Sequence, residues 1–130
     1  MTRPPEKTES ARERRRRERA GRGAEAAAAL WLQLKGYRIL AQRVRMPACE
    51  LDIIARKGKM LVFVEVKSRR TVAAAREAVT PELRRRLETA AHQWSGRRRD
   101  ANQLLWRFDM MLLAPGRLPL HVRDAWRAES

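Results

Sequence analysis

Four charged residues interrupt the most apolar stretch of this 130-residue chain. Glu50, Asp52, Glu65 and Lys67 lie within Cys49–Arg69, CELDIIARKGKMLVFVEVKSR, which otherwise reads as two strands. Asp, Glu and Lys are depleted from strands, so their presence needs a reason. Three carboxylates held close repel one another, and burial worsens the repulsion. A divalent cation relieves both problems, and hard oxygen ligands suit Mg²⁺ or Mn²⁺. With a lysine alongside, such an ion is equipment for phosphodiester hydrolysis, because it activates a water and neutralises charge on the phosphate. The plain alternative is a Glu–Lys ion pair at a strand end. Short motifs match by chance, and a bare E-x-K would favour that alternative. Asp52 is what sets this motif apart.

The element that must position these groups is a β-hairpin with Gly58 in its turn. A loop of two residues (Lys57, Gly58) or four (Arg56 to Lys59) sets Ile54 opposite Leu61, Asp52 opposite Phe63 and Glu50 opposite Glu65. Side chains alternate along each strand and paired residues share a face. One face then carries Leu51, Ile53, Ala55, Val62, Val64 and Val66. The other carries Ile54, Leu61 and Phe63 near the turn and the four charges at the far end. Both faces look covered, as in central strands.

A helix over Gly23–Lys35, Ala-rich and closed by Gly36, precedes the hairpin. It is apolar almost all round, which predicts extensive burial. Glu25 lies in its first turn on the stripe with Ala28, Ala29 and Leu32. It is either a carboxylate favoured by the helix dipole or a fourth acidic group facing the site. Tyr37–Arg45 is a strand candidate in which Arg43 and Arg45 alternate with apolar residues, near the acidic end or on a solvated edge. Ser68–Ala78 reads as a polar, Ala-rich connection carrying Arg69 and Arg70. Thr80-Pro81-Glu82 is a strong helix start, and that helix runs to Ser95, with Arg84, Arg85 and Arg86 off its apolar stripe. Leu104–Ala114 reads as a buried strand whose Asp109 pairs with Arg107 or Arg123, and Leu118–Trp126 as an edge strand. His92 and His121 stand apart from each other and from any ligand-like spacing. This order predicts an α/β sandwich with a central mixed sheet.

Composition sets bounds. The length suits one domain over residues 23–130, behind a disordered or loosely helical basic arm over residues 1–22 that includes the Arg14–Arg17 run. No apolar run reaches the roughly 18 residues of a membrane span, and no secretory signal is legible, so a cytoplasmic protein is expected. The single cysteine, Cys49, excludes an internal disulfide and a cysteine-cluster zinc site. It reads as a packed thiol rather than a nucleophile. Net charge is +15, with 30 basic against 15 acidic residues. Biased coding DNA explains arginine over lysine but not base over acid, so the charge points to polyanions, nucleic acid first. Arg43, Arg45, Arg69, Arg70, Arg84 and Arg85 are the expected phosphate contacts.

The order of elements and the segments GRGAEAAAALWL, GYRIL, ELDIIARKGKMLVFVEVKSRR, EAVT and RFDMM resemble the YraN-like family of uncharacterised, predicted nucleases. More widely, Glu25, Asp52 and Glu65-Val66-Lys67 resemble the PD-(D/E)xK constellation of the restriction-endonuclease-like superfamily. The resemblance implies a three-layer αβββαβ sandwich. It implies Asp52 and Glu65 as metal ligands with the Val66 carbonyl, and Lys67 orienting the attacking water or offsetting transition-state charge. Glu25 would complete the cluster, as in the related archaeal Holliday-junction resolvases. The implied activity is Mg²⁺- or Mn²⁺-dependent cleavage of DNA, on branched or damaged structures, for which a homodimer would be suited. The alternative is a nucleic-acid-binding module on the same fold that does not cut.

Overall fold

The computed structural model describes residues 10–127, without the side chains of residues 14 and 16–20. Its elements are α1 (Ala11–Leu34), β1 (Arg38–Arg45), β2 (Glu50–Lys57), β3 (Met60–Ser68), α2 (Val72–Glu77), α3 (Pro81–Ser95), a 3₁₀ turn at Ala101–Gln103, β4 (Leu105–Leu113) and β5 (Leu120–Trp126). The five strands form one mixed sheet in the order β1-β2-β3-β4-β5. β3 and β4 run parallel, and the other neighbours are antiparallel. The parallel pair needs a crossover, which α2 and α3 supply.

Apolar side chains split to the two faces of the sheet. Ala28, Ala29 and Leu32 of α1 pack with Ile53, Ala55, Val62, Val64, Val66 and Met111. On the opposite face Leu87, Ala90, Ala91 and Trp94 of α3 pack with Ile54, Leu61, Phe63, Phe108 and Met110. The sheet is therefore covered on both sides, as its near-continuous hydrophobic strands require. No described helix is long and apolar enough to cross a membrane.

Several expectations change. The first helix starts at Ala11 rather than Gly23, because Ser10 caps it through the Glu13 N–H (3.1 Å) and it runs on through Gly21 and Gly23. The boundary expected at residue 22 thus falls inside one helix. Residues 1–9 of the expected arm lie outside the described residues, as do the side chains of its arginine run apart from Arg15. α1 is buried along one stripe only, since Leu30 and Leu34 are 58% and 72% exposed. The Ser68–Ala78 connection contains a helical turn, α2, nucleated by Thr71 accepting from the Ala74 N–H (3.1 Å). Thr80 caps α3 in the same way through Leu83, as its sequence predicts.

The hairpin is displaced by two residues from its expected register. Its turn is Gly58-Lys59, with Gly58 at φ +60°, and Lys57 pairs with Met60, Arg56 with Leu61 and Ile54 with Phe63. A primed two-residue turn with Gly at its first central position matches strand twist better than one starting at Lys57. Because the displacement is even, it moves pairs along the strands without exchanging faces. Leu51 is the exception: it packs with the α3-side cluster, not with the valines. Regular β2–β3 pairing stops at Ile53 and Val64, and beyond them the Val66 N–H donates to the Asp52 carboxylate (2.9 Å) instead of a backbone carbonyl.

Candidate functional site

The broken end of this ladder is where the acidic groups meet. Continuing the register brings Asp52, not Glu50, level with Glu65. Glu25 arrives from α1, on the stripe that also buries Ala28, Ala29 and Leu32. Glu25, Glu50 and Asp52 each offer a carboxylate oxygen within 4.8 Å of the others. Glu65 is 6% exposed and stands beside Lys67, whose ammonium is 3.2 Å from its carboxylate. Glu25, Asp52, Glu65, Val66, Lys67 and Arg69 line one open cleft of about 290 Å³.

Electrostatics at this cleft follow from burial. The Glu65 carboxyl is pushed up to about 8 by desolvation and by the neighbouring Asp52, against the pull of Lys67. Asp52 is also raised by burial, opposed by the Val66 N–H and reinforced by Glu25. The nearby Asp52 carboxylate adds to burial in favouring the protonated form of Glu65. Four acidic groups, with burial favouring the protonated form of Glu65, form a site short of positive charge.

Arg43 supplies some of that charge. Its guanidinium pairs with Glu25, and its backbone adopts φ +52° within β1. That left-handed conformation costs a non-glycine residue about 1–2 kcal/mol. Arg43 is thus a counter-ion of the cluster rather than a free phosphate contact. Arg45 is exposed and pairs in register with Glu50. Arg69 and Arg70 are exposed just beyond Lys67, Arg69 donating to the Ser68 carbonyl (2.8 Å). Arg84 and Arg85 are not among the residues lining the cleft. They line a separate groove with Pro81, Trp126 and Arg127. Cys49 is half-buried beside the core and its thiol is raised by desolvation, which disfavours the thiolate.

The expected register set Glu50 opposite Glu65 among the clustered carboxylates; the two-residue shift gives that place to Asp52 and leaves Glu50 beside Asp52 and Glu25. A second feature, Arg43 as the partner of Glu25, was not expected. No local signal reports the second, because the pair joins α1 to β1 across 18 residues.

A second polar network lies inside the sheet. Asp109, fully buried, accepts from Arg107 Nε and Nη2 (2.8 Å each), His121 Nε2 (2.7 Å) and the Asp124 N–H (2.9 Å). Burial acts to raise its pKa, but bonds from His121, Arg107 and Asp124 outweigh it and hold the carboxyl below its ordinary range. Lys35 donates to His121 Nδ1 (2.6 Å), leaving the ring proton on Nε2 for Asp109. The expected Asp109–Arg107 pair is present. His121, in contrast, is not isolated: its partner comes from the neighbouring strand. This network ties β5 to β4 and to the end of α1.

The fold and cleft define a mixed α/β protein with a five-stranded sheet and an acid-rich site at the end of its central hairpin. Comparison with known proteins then places the chain: residues 24–113 match the model of the uncharacterised protein family UPF0102, and the chain belongs to that family. It is 46% identical to a UPF0102 protein of Paramagnetospirillum magneticum over 130 residues, 97% of each chain. Similar relatives occur in Caulobacter vibrioides (48% over 108 residues, 83% of this chain and 86% of the relative) and Rhizobium johnstonii (49% over 113 residues, 87% and 93%).

Proposed function

We propose that the protein is a metal-dependent endonuclease acting on DNA, with a restriction-endonuclease-like core. The observation that carries this reading is the gathering of Glu25, Asp52, Glu65 and Lys67 from three elements into one open cleft, with Glu50 beside Glu25 and Asp52, in a chain bearing +15. A carboxylate-only donor set suits a hard divalent ion, Mg²⁺ or Mn²⁺, better than a soft one. Asp52, Glu65 and Glu25 would hold it, with Glu50 near enough to join and the Val66 carbonyl as a further oxygen. Such an ion, when bound, activates water and neutralises charge on the phosphate.

The chain's own residues have separable tasks. Lys67 is placed to orient a water or to face charge developing on the phosphate, once Glu65 is no longer its sole partner. Arg43 holds Glu25, and its release would free that carboxylate. Arg69 and Arg70 extend positive charge from the mouth of the cleft and steer the backbone towards it. The protein therefore binds before it cuts.

A second reading, binding of DNA without cleavage, is favoured by the Arg43–Glu25 and Lys67–Glu65 pairs, which already set cations against two of the acidic groups. One experiment separates the two. Duplex, single-stranded, flapped and four-way-junction DNA are incubated with Mg²⁺ or Mn²⁺ and wild type, Asp52→Ala or Lys67→Ala. The nuclease reading expects cleavage by the wild type alone. Cleavage surviving both substitutions signals a contaminant, and tight binding with no cleavage establishes the second reading. Either reading expects affinity to fall steeply with salt.

A further inference from the structure

A groove lies away from the carboxylates, at the other end of β3. It encloses about 460 Å³ where Met60, Leu105 and the end of β5 meet. Its walls include Trp106, Phe108, Trp126 and His92, with Arg127 at the side. Leu105 is 67% exposed there. The rings are ordered against one another: Phe108 stacks on Trp126 (5.2 Å between centroids), and His92 lies against Trp106 (4.8 Å). The carboxylate in its lining, Asp124, is held by Arg127 at 3.3 Å.

Trp126 and Arg127 also line the adjoining groove that carries Arg84 and Arg85. Two buried donors in this region, Trp126 Nε1 and Arg84 Nε, have no hydrogen-bond partner among the described residues. Leaving a buried donor unmade costs about 1–3 kcal/mol, so two together mark a surface that wants acceptors. Phe108 and Trp126 are buried, with Arg84 over the Trp126 ring, so the accessible ring surface is that of half-buried Trp106 and exposed His92. Ring surface, arginines and unpaired donors are a combination that nucleotides complete: a base stacks, and phosphate or carbonyl oxygens accept. An apolar peptide would cover the rings and its carbonyls could accept from the donors, but it would bring no anion to the arginines.

We propose that this groove is a base-stacking subsite for single-stranded nucleic acid. It deepens the nucleic-acid reading above and rests on it, but not on cleavage. From Met60 to Glu65 along β3 is roughly 17 Å at about 3.3 Å per residue. A strand held at the groove would therefore have its neighbouring junction with duplex within reach of the carboxylate cleft. The substrate class named is DNA with a single-stranded segment beside a duplex.

The test is fluorescence anisotropy in EDTA, so that no cleavage intervenes, with labelled oligothymidylate, an abasic strand of equal length and a duplex. Wild type should bind oligothymidylate about tenfold more tightly than the abasic strand, from the usual energy of one stacked base. Trp106→Leu, which keeps an apolar side chain but removes the π-face, should erase most of that difference while duplex affinity changes less than twofold. Arg84→Ala should weaken both single strands. Equal wild-type affinity for thymidylate and abasic strands would overturn the proposal, even if Trp106→Leu fails to fold. Equal loss on single strand and duplex in Trp106→Leu would also overturn it. Duplex binding without base preference removes this subsite alone, whereas no DNA binding at all removes the nuclease reading with it.

Discussion

Replacing Glu65 by glutamine should stabilise the protein, and the gain should grow with pH. Glu65 is 6% exposed, and its carboxyl titrates near 8 instead of the ordinary 4.5, through burial first and the Asp52 carboxylate second. A pKa raised by folding contributes stability that is fully present below the unfolded value and lost as pH rises through the folded one. Between about 4.5 and about 8 the folded state keeps a proton that the unfolded state has released, so stability falls across that window. At about 1.4 kcal/mol per pH unit the accumulated loss is on the order of 3–5 kcal/mol at pH 8 and above. Glutamine fills the same space and has nothing to ionise. Urea unfolding at pH 5 and pH 8.5 reads the effect: with a slope of roughly 2 kcal/mol per molar, Glu65→Gln should gain about 2 M in midpoint at the higher pH and little at the lower. A wild-type stability that rises from pH 5 to 8, or a Gln variant no more stable at pH 8.5, would refute the reasoning.

Two further outcomes follow from the packing. Asp109→Asn should destabilise by about 3–5 kcal/mol, since it leaves the partly buried Arg107 guanidinium without its charge partner, and thermal unfolding would show it. A loss under 1 kcal/mol would mean that Arg107 finds water instead. Thr80→Ala removes the cap on the Leu83 N–H and should cost about 1 kcal/mol by urea titration, with Thr80→Ser nearly neutral.

The neighbourhood of the site was legible because side-chain parity survives an even register error. Asp52, Glu65 and Lys67 share a strand end in either register, so their clustering did not depend on choosing the turn. Glu25 was legible through its helical spacing from Ala28, Ala29 and Leu32. What sequence did not disclose depends on contacts between elements. Leu51 changed faces because Asp52 takes a backbone N–H from Val66 and breaks the ladder. Arg43 read as an edge arginine because its partner sits on α1. His121 looked solitary because Asp109 is its neighbour only after β4 and β5 pair. The N-terminal helix ran past its expected start because Ser10 and Glu13 form a capping signature, outranking the helix-weakening glycines at 21 and 23.

A divalent cation bound as proposed above would sit on the carboxylates of this cleft and displace the proton of Glu65. Isothermal titration of wild type with Mn²⁺ at pH 7.5, in two buffers of different ionisation enthalpy, tests it most directly. Saturable binding with release of a proton is expected, because Glu65 gives up the one it holds, with loss of that binding in Asp52→Asn. Mn²⁺ binding that is absent from wild type, or unchanged in Asp52→Asn, would contradict it.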